Sequence, residues 1–311
     1  MAGTIVASLA ELTDVVVAGL RSSLPDERVV PVAEAGGVTD GEILVTMRSS
    51  SDDLTAALAT GVRWVHVLST GVDGVDLSLL RDVDLVTCSR GASSVAISEF
   101  VLATMLAFEK QLPAVWISSE AEWGRPALGQ LAGRTLGLVG VGAIGAEVAR
   151  RALAFDMRVV ALRRRVGEPS GIDGVAAAGS LASLLGEADH VVLAAPATAA
   201  TRHLLDVDAL AAVKPGAHLV NVSRGSLVDQ DALRVALDDG RIACASLDTV
   251  EPEPLPDGHW LYTHPRVRLS PHTSWSAPAS VERTFAAFLD NLARFRAGEP
   301  LDGVVDLDAG Y

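Results

Sequence analysis

Gly140-Val-Gly142-Ala-Ile-Gly145 directly follows the apolar run Thr135 to Val139 and opens a helix-period segment, Ala143 to Ala154. This feature restricts the fold more than any other in the chain, because the three glycines have separate physical uses. The first allows a tight turn, the second lets the backbone approach a pyrophosphate, and the third lets the helix pack closely on the strand. The free amides at the helix N-terminus meanwhile face an anion. A strand, turn and helix of this kind belong to a parallel sheet covered by helices, with a dinucleotide at the strand ends. Gly140, Gly142 and Gly145 are therefore the first cofactor-binding candidates.

The rest of the chain is patterned the same way, short apolar runs alternating with helix-period segments, as in α/β folds with parallel sheets. Strands are predicted at Thr4 to Ser8, Val29 to Val32, Ile43 to Thr46, Trp64 to Leu68 and Leu85 to Cys88, with a helix over Asp52 to Thr60. A second set covers Thr135 to Val139, Arg158 to Leu162, Val191 to Ala195, Ala217 to Val222 and Ile242 to Leu247. Helices are predicted between them at Ala143 to Ala154, Leu181 to Ala188 and Asp229 to Asp238, and a last one at Ala279 to Ala297. Ser94 to Phe108 reads as a helix apolar nearly all round, so it should be buried between domains. The chain's 311 residues suit two domains, each of about 150 residues. The expected division is residues 1–109 with 274–311, and residues 110–273.

Composition narrows the partners. Asp and Glu outnumber Lys and Arg 39 to 25, for a formal charge of −14 and a pI near 4.9, which disfavours nucleic acid and anionic membrane surfaces. No stretch reaches the roughly 18 apolar residues of a membrane span. Met1 to Ser8 reads as a first strand and not as a signal peptide, so a cytoplasmic location is the expectation. Cys88 and Cys244 lie far apart in apolar segments and are expected to be buried free thiols, which leaves no cysteine metal site and no disulfide.

About 20 residues past the glycines, an NAD site places an acidic residue on the ribose 2′-hydroxyl. Here Val159-Val-Ala-Leu162 runs into Arg163, Arg164 and Arg165. Guanidinium groups in that position suit a 2′-phosphate, which arginine binds with paired donors. NADP(H) is therefore the expected cofactor, with NAD(H) possible and a solvated basic strand end the alternative reading.

Three further segments carry chemistry: Val220-Asn-Val-Ser-Arg224-Gly-Ser-Leu-Val-Asp229, Ala245-Ser-Leu-Asp248-Thr-Val-Glu-Pro-Glu253-Pro, and His264-Pro-Arg-Val-Arg-Leu-Ser-Pro-His272. With Ser69-Thr-Gly-Val-Asp73 and Ala96-Ile-Ser-Glu99 upstream, they resemble the D-isomer-specific 2-hydroxyacid dehydrogenases over nearly the whole chain. The resemblance implies two doubly wound α/β domains, a Rossmann nucleotide domain and a flavodoxin-like catalytic domain, meeting at a cleft. It implies a catalytic set of Arg224, Glu253 and His272, with Glu251 as the competing carboxylate. An arginine can hold a carboxylate and polarise an adjacent ketone. A histidine can protonate the developing alkoxide, and a carboxylate beside it favours the charged imidazolium. By the same resemblance the amides of Thr70, Gly71 and Val72 hold the substrate carboxylate. Cofactor contacts fall on Thr70, Ala143, Ile144, Arg163, Arg164, Ala195, Thr201, Val222, Ser223, Asp248 and Ser274, with Asp248 receiving the nicotinamide carboxamide.

Some positions depart from the family's usual residues. The arginines at 163–165 are shared with NADP-using glyoxylate and hydroxypyruvate reductases. Trp275 stands where a small residue is common and either narrows the substrate pocket or packs at a helix start. Arg48 either meets a second anionic group or is simply exposed. The resemblance implies a homodimer with its interface sought between Phe100 and Leu128, and NADPH-dependent reduction of glyoxylate or hydroxypyruvate. A dinucleotide-sensing corepressor-like protein and a phosphoglycerate dehydrogenase are the alternatives. The latter is disfavoured by the arginines and by a chain ending at Tyr311, which is expected to leave no room for an added regulatory domain.

Overall fold

A computed structural model describes residues 3–164 and 171–311, so Arg165 lies outside the described residues. The chain forms two compact units, one of Met1–Ser93 with Pro278–Tyr311 and one of Ser94–Ala277. Both are parallel α/β units, as the alternating pattern requires.

The first unit is built on strands β1 (Thr4–Ser8), β2 (Val29–Pro31), β3 (Gly41–Thr46), β4 (Trp64–Val67) and β5 (Leu85–Cys88), in the order β2-β1-β3-β4-β5 and all parallel. Helices α1 (Thr13–Ser23) and α2 (Ser51–Leu58) connect them, and α2 starts where the Ser50 hydroxyl accepts from the Asp53 amide. Two apolar layers cover the sheet. One holds Leu44, Val65 and Leu80; the other holds Ile5, Trp64 and Phe288. The C-terminal segment belongs here, since the Val305 amide donates to the Val86 carbonyl at 2.9 Å.

The second unit begins with α3 (Ser94–Glu109), followed by β6 (Thr135–Val139), α4 (Ala143–Ala154), β7 (Arg158–Leu162), β8 (Val175–Ala177) and α5 (Leu181–Glu187). It continues with β9 (His190–Leu193), α6 (Val207–Ala211), β10 (Ala217–Asn221), α7 (Gln230–Asp238), β11 (Ile242–Leu247) and β12 (Val267–Leu269). The sheet order is β12-β11-β10-β9-β6-β7-β8, again parallel throughout. The reversal of strand order beside β6 is where doubly wound sheets open a crevice at the carboxyl ends of their strands. The last helix, α8 (Pro278–Ala297), returns to the first unit.

Some expectations are corrected here. Helix α3 groups with the second unit and not with residues 1–93, because Ile97, Val101, Leu102 and Met105 pack with Leu136, Leu138, Val148 and Val159 in one core. Strand β8 and helices α1 and α6 were not anticipated; β8 has only three residues and α6 five, too few to show a period. Cys88 and Cys244 are buried free thiols, as expected. Among the described residues no helix is long and apolar enough to cross a membrane.

Candidate active site

The glycine turn joins β6 to α4, and each glycine meets a different surrounding. Gly140 has φ +98, and a Cβ there would lie 2.7 Å from the Ala194 oxygen and the Ala195 nitrogen. A Cβ at Gly145 would lie 2.3 Å from the Gly140 oxygen, so the helix can sit this close to the turn only with glycine there. Gly142 is different, because a Cβ there would meet nothing within 4 Å. Its surroundings are open, it caps α4 with no side chain bonding to the helix amides, and Ala143 and Ile144 begin the first turn. A cradle of bare amides at the end of a twelve-residue helix fits a pyrophosphate.

The other expected cofactor positions collect at neighbouring strand ends. The Gly140 amide donates to the Leu162 carbonyl at 2.9 Å, which brings the end of β7, with Arg163 and Arg164 following it, beside the glycine turn. Arg163 is half-buried and Arg164 exposed. Ala195 follows β9, and its carbonyl accepts from the Ser223 hydroxyl, tying that strand end to Val222 and Ser223 after β10. Thr201 sits in the loop after β9 and donates its hydroxyl to the Pro196 carbonyl at 2.7 Å.

Arg224 follows β10 in a turn shaped by Asn221, whose Oδ1 accepts from the Ser223 amide at 3.0 Å and whose Nδ2 donates to the Arg224 carbonyl at 2.9 Å. Gly225 comes next, and a Cβ there would lie 2.0 Å from the Val250 carbonyl carbon. That close approach brings the loop after β10 against the loop that carries Glu253. Glu253 Oε2 lies 2.9 Å from His272 Nδ1, and Glu253 Oε1 accepts from the Val250 amide at 3.1 Å. Glu251, the competing carboxylate, pairs instead with Arg202 at 3.0 Å. Burial alone would raise the Glu253 pKa, but the bond from His272, the Val250 amide and the charge of Arg224 outweigh it and hold this carboxyl below its ordinary value.

His272 is itself held from β11. Its amide donates to the Asp248 carbonyl at 2.9 Å. The Asp248 carboxylate accepts from the Thr273 amide at 2.9 Å, the Ser274 amide at 2.9 Å and the Ser270 hydroxyl at 2.5 Å. Burial works to raise the Asp248 pKa, and these bonds overcome it and lower it. Asp248, expected to meet a carboxamide, is thus engaged in shaping the histidine turn, a use the residue spacing did not signal. With Nδ1 committed to Glu253, Nε2 is the nitrogen available to a ligand. An oriented imidazole whose partner stays ionised, with a guanidinium whose charge reaches the same carboxylate, can protonate an oxygen and hold a carboxylate.

Thr70, Gly71 and Val72 lie in the first unit, in the loop after β4, where the Ser69 hydroxyl donates to the Gly71 carbonyl at 2.6 Å and Val72 is buried. Arg48 follows β3 and is exposed. Sequence reasoning missed one cluster, formed by the end of α3, the first residues of β9 and β10, and Ser246 within β11. There His190 Nε2 lies 3.1 Å from Glu109 Oε1, His190 Nδ1 lies 3.2 Å from His218 Nδ1, and His218 Nε2 lies 2.9 Å from Ser246 Oγ. The only available signal was a polar residue at an otherwise apolar strand position.

Residues 102–274 match the family described as D-isomer specific 2-hydroxyacid dehydrogenase, NAD binding domain. The chain is 34% identical to the (S)-sulfolactate dehydrogenase of Chromohalobacter salexigens over 281 residues, 88% of this chain and 89% of that protein. It is 29% identical to the D-3-phosphoglycerate dehydrogenase of Methanocaldococcus jannaschii over 300 residues, 90% of this chain but 56% of that longer protein. Among solved structures, the NADPH-dependent glyoxylate/hydroxypyruvate reductase of Sinorhizobium meliloti, in complex with NADP and sulfate, superposes with a TM-score of 0.86 at 27% identity. That match covers 99% of this chain and 100% of the other. The protein belongs to the D-isomer specific 2-hydroxyacid dehydrogenase family. The match to the family's NAD-binding domain lies within the second unit.

Proposed function

We propose that the protein reduces a small 2-oxo acid of the glyoxylate or hydroxypyruvate class to the D-2-hydroxy acid, with NADPH preferred over NADH. The observation that carries this reading is the 2.9 Å pairing of His272 with Glu253, beside an Arg224 whose charge Glu253 feels. The glycine turn would hold the pyrophosphate on the amides of Gly142, Ala143 and Ile144, with Arg163 and Arg164 on the 2′-phosphate. Ala195, Thr201, Val222, Ser223 and Ser274 would line the remaining strand ends. The bound reduced nicotinamide supplies the hydride. Arg224 holds the substrate carboxylate and polarises the neighbouring ketone. His272 gives the Nε2 proton to the ketone oxygen as charge develops there, while the ionised Glu253 fixes the ring. Asp248 holds the turn that aims the ring.

The relative from Sinorhizobium supports the reductase direction and the NADP preference. The loop after α3, in the second unit, suits the family's dimeric habit, for Trp116, Ile117, Trp123 and Leu128 are exposed there. The direct test is a panel of 2-oxo acids with NADPH and with NADH, followed by nicotinamide absorbance, and including sulfolactate and phosphoglycerate in the oxidative direction. Fastest turnover is expected with glyoxylate or hydroxypyruvate and NADPH. No turnover with any member would overturn the enzyme reading, and equal use of NADH would overturn the cofactor preference.

A further inference from the structure

We propose that Trp275 is a positioning residue: its indole N–H fixes the peptide after His272 and so holds the imidazole in line with Glu253. The inference rests on the reading of His272 as proton donor. It starts from the backbone. His272 has φ +50, in the left-handed region that residues with a side chain avoid because Cβ crowds the following carbonyl oxygen. A conformation of that kind persists only where the surroundings over-determine it.

The restraints can be assigned one torsion at a time. On the N-terminal side of His272, its amide donates to the Asp248 carbonyl at 2.9 Å and to the Ser270 carbonyl at 3.0 Å, which fixes φ. On the C-terminal side, one peptide group joins the His272 carbonyl to the Thr273 amide, and its orientation is set by ψ. The amide end of that group donates to Asp248 Oδ1 at 2.9 Å. The carbonyl end accepts from Trp275 Nε1 at 2.9 Å. The ring torsion is set by Glu253 at 2.9 Å. Asp248 therefore supplies two of the restraints, the Ser270 carbonyl and Glu253 one each, and Trp275 the one that closes the peptide from its other side.

The placement of the Trp275 ring agrees with this role. The side chain is 43% exposed and joins none of the four apolar cores, so burial does not explain why the largest side chain is used here. Indole nitrogen is a donor only, so its partner must be an acceptor, as the His272 carbonyl is. Its own backbone is braced, with the Ser276 amide on the Thr273 carbonyl at 2.8 Å and the Ala277 amide on the Trp275 carbonyl at 2.9 Å. Of the two readings open from the sequence, pocket wall or local packing, the geometry points to a third, a hydrogen-bonding clamp.

Steady-state kinetics of Trp275→Phe, Trp275→Gln and His272→Ala, each checked for folding by circular dichroism and thermal melting, test this. Phe keeps the ring and removes the donor; Gln removes the ring and keeps an N–H. Trp275→Phe should lower kcat about tenfold, with KM for the 2-oxo acid and for NADPH unchanged, since small misplacements of a reacting group act on turnover. Trp275→Gln should recover part of that loss. Wild-type kcat in Trp275→Phe overturns the proposal, as does a loss that Trp275→Gln does not recover at all. So does a change confined to KM with longer 2-oxo acids improved, which would make the ring a pocket wall. His272→Ala separates the two levels: if it retains turnover, the proton-donor reading has failed, whereas an inactive His272→Ala beside a fully active Trp275→Phe sinks only the clamp.

Discussion

Among its described residues the second unit contains two histidine–glutamate pairs of nearly the same length, His272 with Glu253 at 2.9 Å and His190 with Glu109 at 3.1 Å. Their surroundings differ. His272 and Glu253 stand at carboxyl ends of strands with side chains 29% and 32% exposed, whereas those of His190 and Glu109 are 0% and 4% exposed. Burial pushes the His190 pKa down to about 4 and raises that of Glu109, so the sealed pair is driven toward its uncharged form. At the open pair the hydrogen bonds outweigh burial, and Glu253 stays ionised below its ordinary value. A carboxylate beside a histidine is therefore not enough to make a proton donor. Access to a ligand and a carboxylate that stays ionised separate the two.

The contrast can be broken from either side. The largest effect is expected at the open pair: Glu253→Gln should lower kcat about tenfold to a thousandfold while leaving the melting temperature nearly unchanged, as steady-state kinetics and calorimetry would record. At the sealed pair the expectation is reversed. His190→Ala removes the buried partner of His218 Nδ1 and one of the two partners of Glu109, whose other is Arg134 at 3.4 Å, and urea unfolding should show a loss of about 1–3 kcal/mol. Equal stability of the variant would mean that the network is not sealed as described.

The smallest effect is graded with pH. His190 titrates near 4 and His66, buried in the first unit, near 3, whereas an unfolded histidine titrates near about 6.5. Between those values the unfolded chain binds protons that the folded chain does not, so stability falls as pH falls through that window. Each group contributes a slope of about 1.4 kcal/mol per pH unit. His218, lowered well below its ordinary value by burial, adds to the same trend. Unfolding free energies measured from neutral pH to pH about 4 should fall by the sum of these contributions, and His66→Asn should reduce the slope by about 1.4 kcal/mol per pH unit.

Much of this could be read from residue order. The glycine turn was legible because its chemistry lies in three adjacent positions of known spacing, and the structure adds why Gly140 and Gly145 admit no side chain while Gly142 has room beside it. Glu253 and Glu251 could be told apart only provisionally, since both precede a proline in the same run; the pairing of Glu251 with Arg202 separates them in space. The sealed network was not legible. Glu109, His190, His218 and Ser246 come from α3, β9, β10 and β11, and nothing in their local sequence marks a contact that only the sheet register creates. Asp248 and Trp275 were visible as residues, but their bonds to the histidine turn depend on backbone direction, which spacing does not encode.

The most direct test measures NADPH oxidation with glyoxylate or hydroxypyruvate by the wild type, His272→Ala and His190→Ala, each normalised to its folded fraction. His272→Ala should lose about a hundredfold to ten-thousandfold in kcat, and His190→Ala should turn over at the wild-type rate. Wild-type turnover in His272→Ala, or an equal loss in His190→Ala, would contradict the assignment of proton transfer to the open pair.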